Sequence, residues 1–375
     1  GCLDPTLQTS NKDYTTNFFG TNNLWESQGL RWAFWQNSSG FYYNYSSNGI
    51  TWNAGSKLVN NDEGWDVYDD GNSFHIVGIA STSIRYLRYT HTSGGAVTLQ
   101  TSSILAACGG NGCSRPKIAV NSTGFPMITF TDRGGLSNTN IVKLIRSRLA
   151  DGTSWLNGTV QTVSATGSDI AHPDICSIGS GNLYIVYYNA TSIKGRQYYQ
   201  ANNSVGNQEI LSTGTPSIPA SCVSTSNNVA HIFYYTTRYQ YINRTSSTVR
   251  STQINIGPSS GIRVLDASGV STSGLSVGVN KNTNNSLFIT ILGSADLTIY
   301  YLHTSSNLAF IVNASRSGGA GSQNYVSVAR FYTNNASIGY LMTQGAGAPF
   351  DIVYTQFDSV KFQITARFYM NDGNS

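Results

Sequence analysis

Residues 42–52 read YYNYSSNGITW. The aromatic and β-branched residues on both sides favour extended backbone, and Asn48-Gly49 between them tolerates the positive φ of a tight hairpin. The stretch predicts two antiparallel strands joined by a short turn. Its weight for the fold comes from repetition. Working outward from it, units of roughly 43 to 59 residues recur along the chain, the period of propeller-type repeats. A strand of mixed apolar and aromatic residues marks most units: SFHIVGIA (73–80), FPMITFTD (125–132), NLYIVYYN (182–189), VAHIFYYT (229–236) and ASIGYLMT (336–343). A shorter strand ending in a turn precedes it, as in WDVYDDGN (65–72), PKIAVNSTG (116–124), PDICSIGSG (173–181) and ASCVSTSNN (220–228). A third, often Tyr-rich strand follows, as in IRYLRYTHT (84–92), GRQYYQANN (195–203), YQYINRTSS (239–247) and TIYYLHTSS (298–306). A fourth, poorer strand such as AVTLQTSSI (96–104) closes the unit.

Four short antiparallel strands per unit, repeated, describe an all-β fold: a β-propeller of four-stranded blades. Third strands centred near Tyr43, Leu87, Leu144, Tyr198, Tyr241, Tyr300 and Tyr354 predict seven blades. Six blades with an N-terminal decoration is the alternative, because the first unit must draw its first strand from TNNLWESQ (21–28). The expected organisation is an N-terminal extension over 1–24, the propeller over 25–370 and a tail over 371–375. In this reading residues 42–52 are the corner between the third and fourth strands of the first unit.

The corner also carries a resemblance. SSNGITW (46–52) resembles the Asp box of sialidase-like (BNR-repeat) propellers, a Ser-x-Asp-x-Gly-x-Thr-Trp turn between outer strands, and ADGTSW (150–155) resembles a second copy. Asn48 stands where the family has Asp. The resemblance implies a structural turn built by Asn48, Gly49 and Trp52 and again by Asp151, Gly152 and Trp155. Sialidase activity would further need three arginines, an acid Asp and a Tyr activated by Glu. Arg31 falls on an early strand as the first such arginine does, while nothing in spacing selects among Arg115, Arg238, Arg244, Arg263 and Arg330. Only three glutamates exist, Glu26, Glu63 and Glu209.

Composition narrows the function classes. The 375 residues are only 11% charged, against about 25% in ordinary soluble proteins, and carry 23 Tyr and 38 Gly. The net charge of +4 is spread without a basic run, so nucleic acid is not an expected partner. No apolar run approaches the length of a membrane-spanning helix. Few titrating carboxylates would suit a protein working in acid, and the many tyrosines suggest an aromatic, polar surface that grips sugars or protein loops. Asn-x-Ser/Thr sequons lie at Asn37, Asn44, Asn121, Asn157, Asn189, Asn202, Asn243, Asn284, Asn313 and Asn335, which points to an exported glycoprotein at an extracellular surface. The turns of Asn121, Asn189, Asn243 and Asn335 are expected to be the surest acceptors.

Five cysteines agree with an oxidising compartment. Cys108 and Cys113 bracket a Gly-rich turn and predict a small disulfide loop. Cys176 and Cys222, each three residues after a proline, predict a staple between neighbouring units. Cys2 is left for a partner chain.

Ligands of propellers usually meet the chain at the mouth of the central channel, where first strands begin. Asp66, Lys117, Asp174, Asp266 and Tyr325 are the expected residues there, with Ala220 at the same place in its unit. Two facing carboxylates would permit glycoside hydrolysis. Equally, such carboxylates cap backbone groups or hold a calcium ion, the one cofactor the set would suit. His75 and His231 occupy a place filled elsewhere by Met127 and Tyr184, which marks packing. No transition-metal spacing occurs. The preferred reading is a binding, adhesion or receptor-recognition module of a cell surface, appendage or virion, with a glycan or cell-surface protein as partner. The alternatives are a polysaccharide hydrolase or lyase, and a structural subunit of an extracellular filament or envelope.

Overall fold

The computed structural model describes residues 9–10, 22–37, 39–60, 63–133, 140–155, 161–164, 172–188, 191–214, 218–224, 228–235, 239–246, 254–255, 275–280, 286–292, 296–303, 310–317, 323–332, 338–344, 350–358 and 363–369. Among them the chain forms strands and turns only, and no helix is long and apolar enough to cross a membrane.

These strands pair into seven sheets, numbered here in chain order. Sheet one runs Leu24–Ser27, Leu30–Asn37, Gly40–Ser46, Asn53–Asn60, so LWES does supply its first strand and residues 47–52 turn its third strand into its fourth. Sheet two is Glu63–Asp69, Ser73–Ala80, Ser83–His91 and Val97–Ala107; sheet three is Cys113–Val120, Pro126–Asp132, Ile141–Arg146 and Gln161–Thr162. Sheet four is Asp174–Gly179, Asn182–Tyr188, Ser192–Tyr199 and Ser204–Val205, with Glu209–Thr213 also paired to its third strand. Sheet five is Ile218–Ser224, Ala230–Tyr235, Tyr239–Arg244 and Ile254–Asn255. Sheet six comprises Leu275–Asn280, Ser286–Leu292, Asp296–His303 and Phe310–Ser317, and Phe331–Tyr332 adds a parallel edge. Sheet seven is Gln323–Val328, Ile338–Gln344, Phe350–Asp358 and Gln363–Tyr369. Thr9–Ser10, within the segment read as an extension, pairs with Asp351 and Phe350 of that sheet. Each sheet is a meander of consecutive antiparallel strands, the blade architecture of a β-propeller.

The chain divides into two compact units. One holds residues 1–61, 93–95 and 257–375, with sheets one, six and seven; the other holds 62–92 and 96–256, with sheets two to five. Within the second unit, first strands of consecutive sheets lie side by side and apolar clusters fill the space between sheets. Val77, Tyr86, Ile118, Ile128 and Trp155 join sheets two and three; Met127, Leu144, Ile175, Ile185 and Tyr187 join three and four; Tyr184, Val186, Ile232 and Tyr234 join four and five. Second strands are covered on both faces, which is why SFHIVGIA and FPMITFTD read as nearly continuous apolar runs rather than alternating ones. Third strands alternate, and fourth strands face solvent, as Leu99 and Ile104 do.

The tyrosines overturn one expectation. Ten of them, Tyr43, Tyr86, Tyr89, Tyr184, Tyr187, Tyr188, Tyr198, Tyr234, Tyr241 and Tyr354, are buried at 7% exposure or less. A ring spans much of the roughly 10 Å gap between stacked sheets, and its hydroxyl finds a polar partner, buried for Tyr86 (His75) and Tyr241 (His231) and nearer solvent for Tyr187 (Gln208) and Tyr198 (Asn203). Among the described residues most tyrosines build the interior, so Tyr content by itself does not argue for a gripping surface.

Candidate functional site

Four first strands of the second unit gather the polar residues singled out by sequence. A register shift sits just before the decisive position in three of them, between Glu63 and Asp66, Ser114 and Lys117, and Ile218 and Ser221. Such bulges add a residue and re-aim the next side chain. Asp66 pairs with Val77, Lys117 with Thr129, Asp174 with Val186 and Ser221 with Phe233, so Ser221 rather than Ala220 holds the equivalent place. In sheet seven Val326 pairs with Met342 and Tyr325 falls on the shift between Asn324 and Val326. Asp266 lies outside the described residues, as does Cys2.

Asp66 is fully buried, and its Oδ2 accepts the backbone N–H of Ile118, in the first strand of the next sheet, at 3.0 Å. Its Oδ1 lies 4.0 Å from Nζ of Lys117, itself 4% exposed. Asp174, 3% exposed, repeats the device one sheet pair later: Oδ2 accepts the Cys222 N–H at 2.8 Å and Oδ1 accepts the Ile175 N–H at 2.9 Å. Between these pairs, where Lys117 cannot accept, Arg115 donates to Nδ1 of His172 and the Tyr188 hydroxyl reaches the same nitrogen at 3.2 Å. Burial, assisted by the Arg115 charge, pushes His172 down to about 2, so it is a neutral acceptor at Nδ1. The array ties sheet to sheet: buried backbone donors need acceptors, and these carboxylates supply them.

The two disulfides belong to the same framework. Cys108–Cys113 closes the Gly-rich loop with Cα atoms 5.2 Å apart, and Cys176–Cys222 joins the first strands of sheets four and five at 5.7 Å. The ladders place Cys176 opposite Tyr184 and Cys222 opposite Ile232, one step out of register with each other, so the two positions are not equivalent as the sequence suggested.

Two charged clusters were not legible as such. Asp70 Oδ2 contacts His75 Nε2 at 2.7 Å, and His75 Nδ1 contacts the Tyr86 hydroxyl at 2.8 Å. Burial would raise Asp70, but the His75 hydrogen bond and charge with the Asn72 and Ser73 amides outweigh it and hold it near 2. This Asp–His–Tyr chain ends inside the protein, where Tyr86 meets Trp155 edge-on at 4.9 Å. Glu209 grips Arg244 with Oε1 2.6 Å from Nη2, and takes the Tyr184 hydroxyl at 2.7 Å on Oε2. Arg31 faces Glu26 at 3.8 Å. Arg31, Arg115 and Arg244 thus serve separate partners and do not join in a carboxylate clamp within either unit. Among the described residues no three His, Cys, Asp or Glu side chains gather as a metal site.

Both corner turns are closed by side chains. Ser46 Oγ accepts the Gly49 N–H at 2.8 Å and donates to the Thr51 carbonyl at 2.7 Å, while Asn48 Oδ1 accepts the Ile50 and Thr51 N–H groups at 2.7 and 2.8 Å. In the second turn Asp151 Oδ1 accepts from the Thr153 N–H at 2.9 Å and Ser147 Oγ donates to the Leu149 carbonyl at 2.6 Å. Gly49 and Gly152 take φ of +73° and +67°, and each accepts the following Trp Nε1–H on its carbonyl, from Trp52 at 3.2 Å and Trp155 at 2.7 Å.

Sequon asparagines divide sharply. Asn44 is 2% exposed with Oδ1 accepting from Trp35 Nε1 at 2.8 Å. Asn121 is 4% exposed, and its Nδ2 donates to the Gly181 carbonyl at 3.0 Å. A glycan has no room at either, so the expectation is withdrawn there; Asn121 closes a turn and bridges sheets three and four instead. Asn243 is half-buried with Nδ2 on the Tyr241 hydroxyl at 3.2 Å, and Asn202 is exposed. Asn37 and Asn313 lie in strands, and Asn157, Asn189, Asn284 and Asn335 fall outside the described residues.

No protein-family model matches the chain, and no curated protein matches it in sequence. Solved structures do share the fold. A putative 6-phosphogluconolactonase of Bacteroides fragilis superposes with a TM-score of 0.55 at 11% identity, over 94% of each chain. The polysaccharide lyase Uly1 gives 0.51 at 9% identity, over 91% of this chain and 90% of that one. A prolyl endopeptidase gives 0.53 at 10% identity, with 96% of this chain covering 51% of the other. The Dos1 propeller and the NanB sialidase of Streptococcus pneumoniae match at 0.48 and 0.47, too distant to argue from. At these identities the likeness concerns fold alone.

Proposed function

We propose that the protein is an exported, seven-bladed propeller spanning residues 25–370 that binds a glycan or a cell-surface protein and does not turn it over. One observation carries the second half of that reading: Asp66 and Asp174 each spend a buried carboxylate on a backbone N–H of the neighbouring sheet. A general acid or nucleophile must reach the substrate with a free oxygen, and inverting or retaining hydrolysis needs two such groups facing each other. The same commitment leaves these two residues poor donors for calcium, which collects six to eight oxygens. Two disulfides support an extracellular setting. The two side-chain-closed corners support the sialidase-like affiliation, with Asn48 taking the acceptor role of the box aspartate.

The fold shared with a polysaccharide lyase supports polysaccharides as the first ligands to try. A glycan array read with and without calcium, beside reducing-sugar release and unsaturated-product absorbance on the same polysaccharides, tests the reading. Binding without product is expected. Turnover that collapses in Asp66→Asn or Asp174→Asn would hand the protein to the enzyme class.

A further inference from the structure

The sequons with described side chains differ in the one atom that matters for modification, the side-chain amide nitrogen. We infer that Asn202 is a glycan-bearing residue of the folded protein and that Asn44 and Asn121 carry none, an inference that rests on the export proposed above.

Asn202 sits at the tip of the turn between Ser192–Tyr199 and Ser204–Val205. The turn is held by its neighbours. The Asn203 N–H donates to the Gln200 carbonyl at 3.3 Å, Asn203 takes a φ of +50°, and its Oδ1 accepts from the buried Tyr198 hydroxyl at 2.8 Å. Gln200 is fixed in turn by its N–H on Asn182 Oδ1 at 3.0 Å. Asn203 therefore does the structural work, and Asn202 is left exposed at the tip of the turn. Among the described residues, the hydrogen bond of the Asn202 side chain comes from its own sequon: the Ser204 hydroxyl donates to Oδ1 at 2.6 Å. That bond engages the carbonyl oxygen and not the amide nitrogen of an exposed residue. At Asn121 the arrangement is reversed, since Nδ2 is engaged inside the protein while Oδ1 accepts from Thr123 and Phe125. A chain glycosylated at Asn121 or Asn44 would have to break buried bonds to fold, and buried donors left unmatched are costly.

The transfer is a substitution. Nδ2 of Asn202 bonds to the anomeric carbon of a sugar carried on a polyprenyl diphosphate, the carbon–oxygen bond to the diphosphate breaks with its electron pair, and Nδ2 releases one proton to solvent. No oxidant or reductant is needed. The donor and its transferase come from the secretory pathway.

The test is secretion of the full chain from a eukaryotic host, followed by enzymatic glycan release in heavy-oxygen water and peptide mapping. The label should appear at Asn202, with Asn44 and Asn121 bare, and Asn202→Gln should lose the mass of one glycan while its urea midpoint stays put. Glycans on other sequons with a bare Asn202, or a glycan on Asn44 or Asn121, overturn this inference alone. A secreted chain bare at all ten sequons overturns both it and the glycoprotein reading behind it.

Discussion

Asn48 shows what a single side chain contributes at a corner. Its Oδ1 accepts two backbone N–H groups, from Ile50 and Thr51, that face solvent on an exposed turn. A carboxylate at the same place would accept both with a full charge, and charge-assisted hydrogen bonds are roughly twice as strong as neutral ones. Asn48→Asp should therefore hold or raise the thermal midpoint, whereas Asn48→Ala should cost about 1 kcal/mol, since water can replace the lost acceptor only in part. Chemical denaturation of the two variants beside the parent checks the ordering; a destabilised Asn48→Asp would refute the role given to Oδ1. The partner tryptophans fix the turns from below: Trp52 packs on Tyr354 at 4.9 Å and Trp155 on Tyr86 at the same distance.

Strands of one sheet repeat a position with different chemistry in the next. His75 sits diagonally from Tyr86, Met127 from Leu144, Tyr184 from Gly195 and His231 from Tyr241. The Tyr184 ring fills the space a side chain would take at Gly195, where a Cβ would fall 2.1 Å from its hydroxyl. The volume of the pair is shared in different ways, as close packing demands. Between sheets four and five, two unlike bonds join neighbouring strands, the Cys176–Cys222 disulfide and the Asp174 carboxylate on the Cys222 N–H. The disulfide spans a sequence separation of 46, for which loop-closure entropy predicts a loss of about 4 kcal/mol on removal. A Cys176→Ala, Cys222→Ala double variant should show that loss in urea titrations of the oxidised proteins; a midpoint unchanged from the parent would mean the sheets hold together without it. Composition and spacing made the Cys108–Cys113 loop and the four-strand unit legible at this scale.

Across the whole molecule, scarcity of charge does not by itself predict tolerance of acid. His231 is buried against Tyr241, and burial pushes it down to about 4 from the usual 6.5. As pH falls below 6.5 the unfolded chain takes up a proton there that the folded chain refuses until about pH 4, so stability drops through that window and is fully retained above it. At one pKa unit per 1.36 kcal/mol the loss approaches about 3 kcal/mol at the low end. His231→Met places there the residue that Met127 supplies in sheet three, and it should flatten the decline between pH 7 and pH 4. Denaturation midpoints across that range decide it: equal slopes in parent and variant would clear His231. His172, neutral beside Arg115, adds a second penalty of the same sign. The sequence reading of a protein suited to acid counted carboxylates; it placed His231 at a packing position without counting the proton that burial denies it, and it did not single out His172.

What the sequence determined by itself was local and repetitive: short strands rich in apolar and aromatic residues, turns at Asn48-Gly49 and Asp151-Gly152, a meander of four, and a disulfide across five residues. Those follow from propensity and from contacts between near neighbours. Tertiary structure decided where the chemistry went. A bulge before Asp66, Lys117 or Ser221 shifts register by a residue or more without any local signal, and one step along a strand sends a side chain to the opposite face. Only with the next sheet in place does Asp66 meet the Ile118 N–H, 52 residues on, or Asn121 the Gly181 carbonyl, 60 residues on. Neither the apparent acid groups nor the apparent sugar acceptors were distinguishable from scaffold until that neighbouring backbone supplied their partners, because an unpaired polar group in a packed sheet interface costs more than any function assigned to it in isolation would suggest.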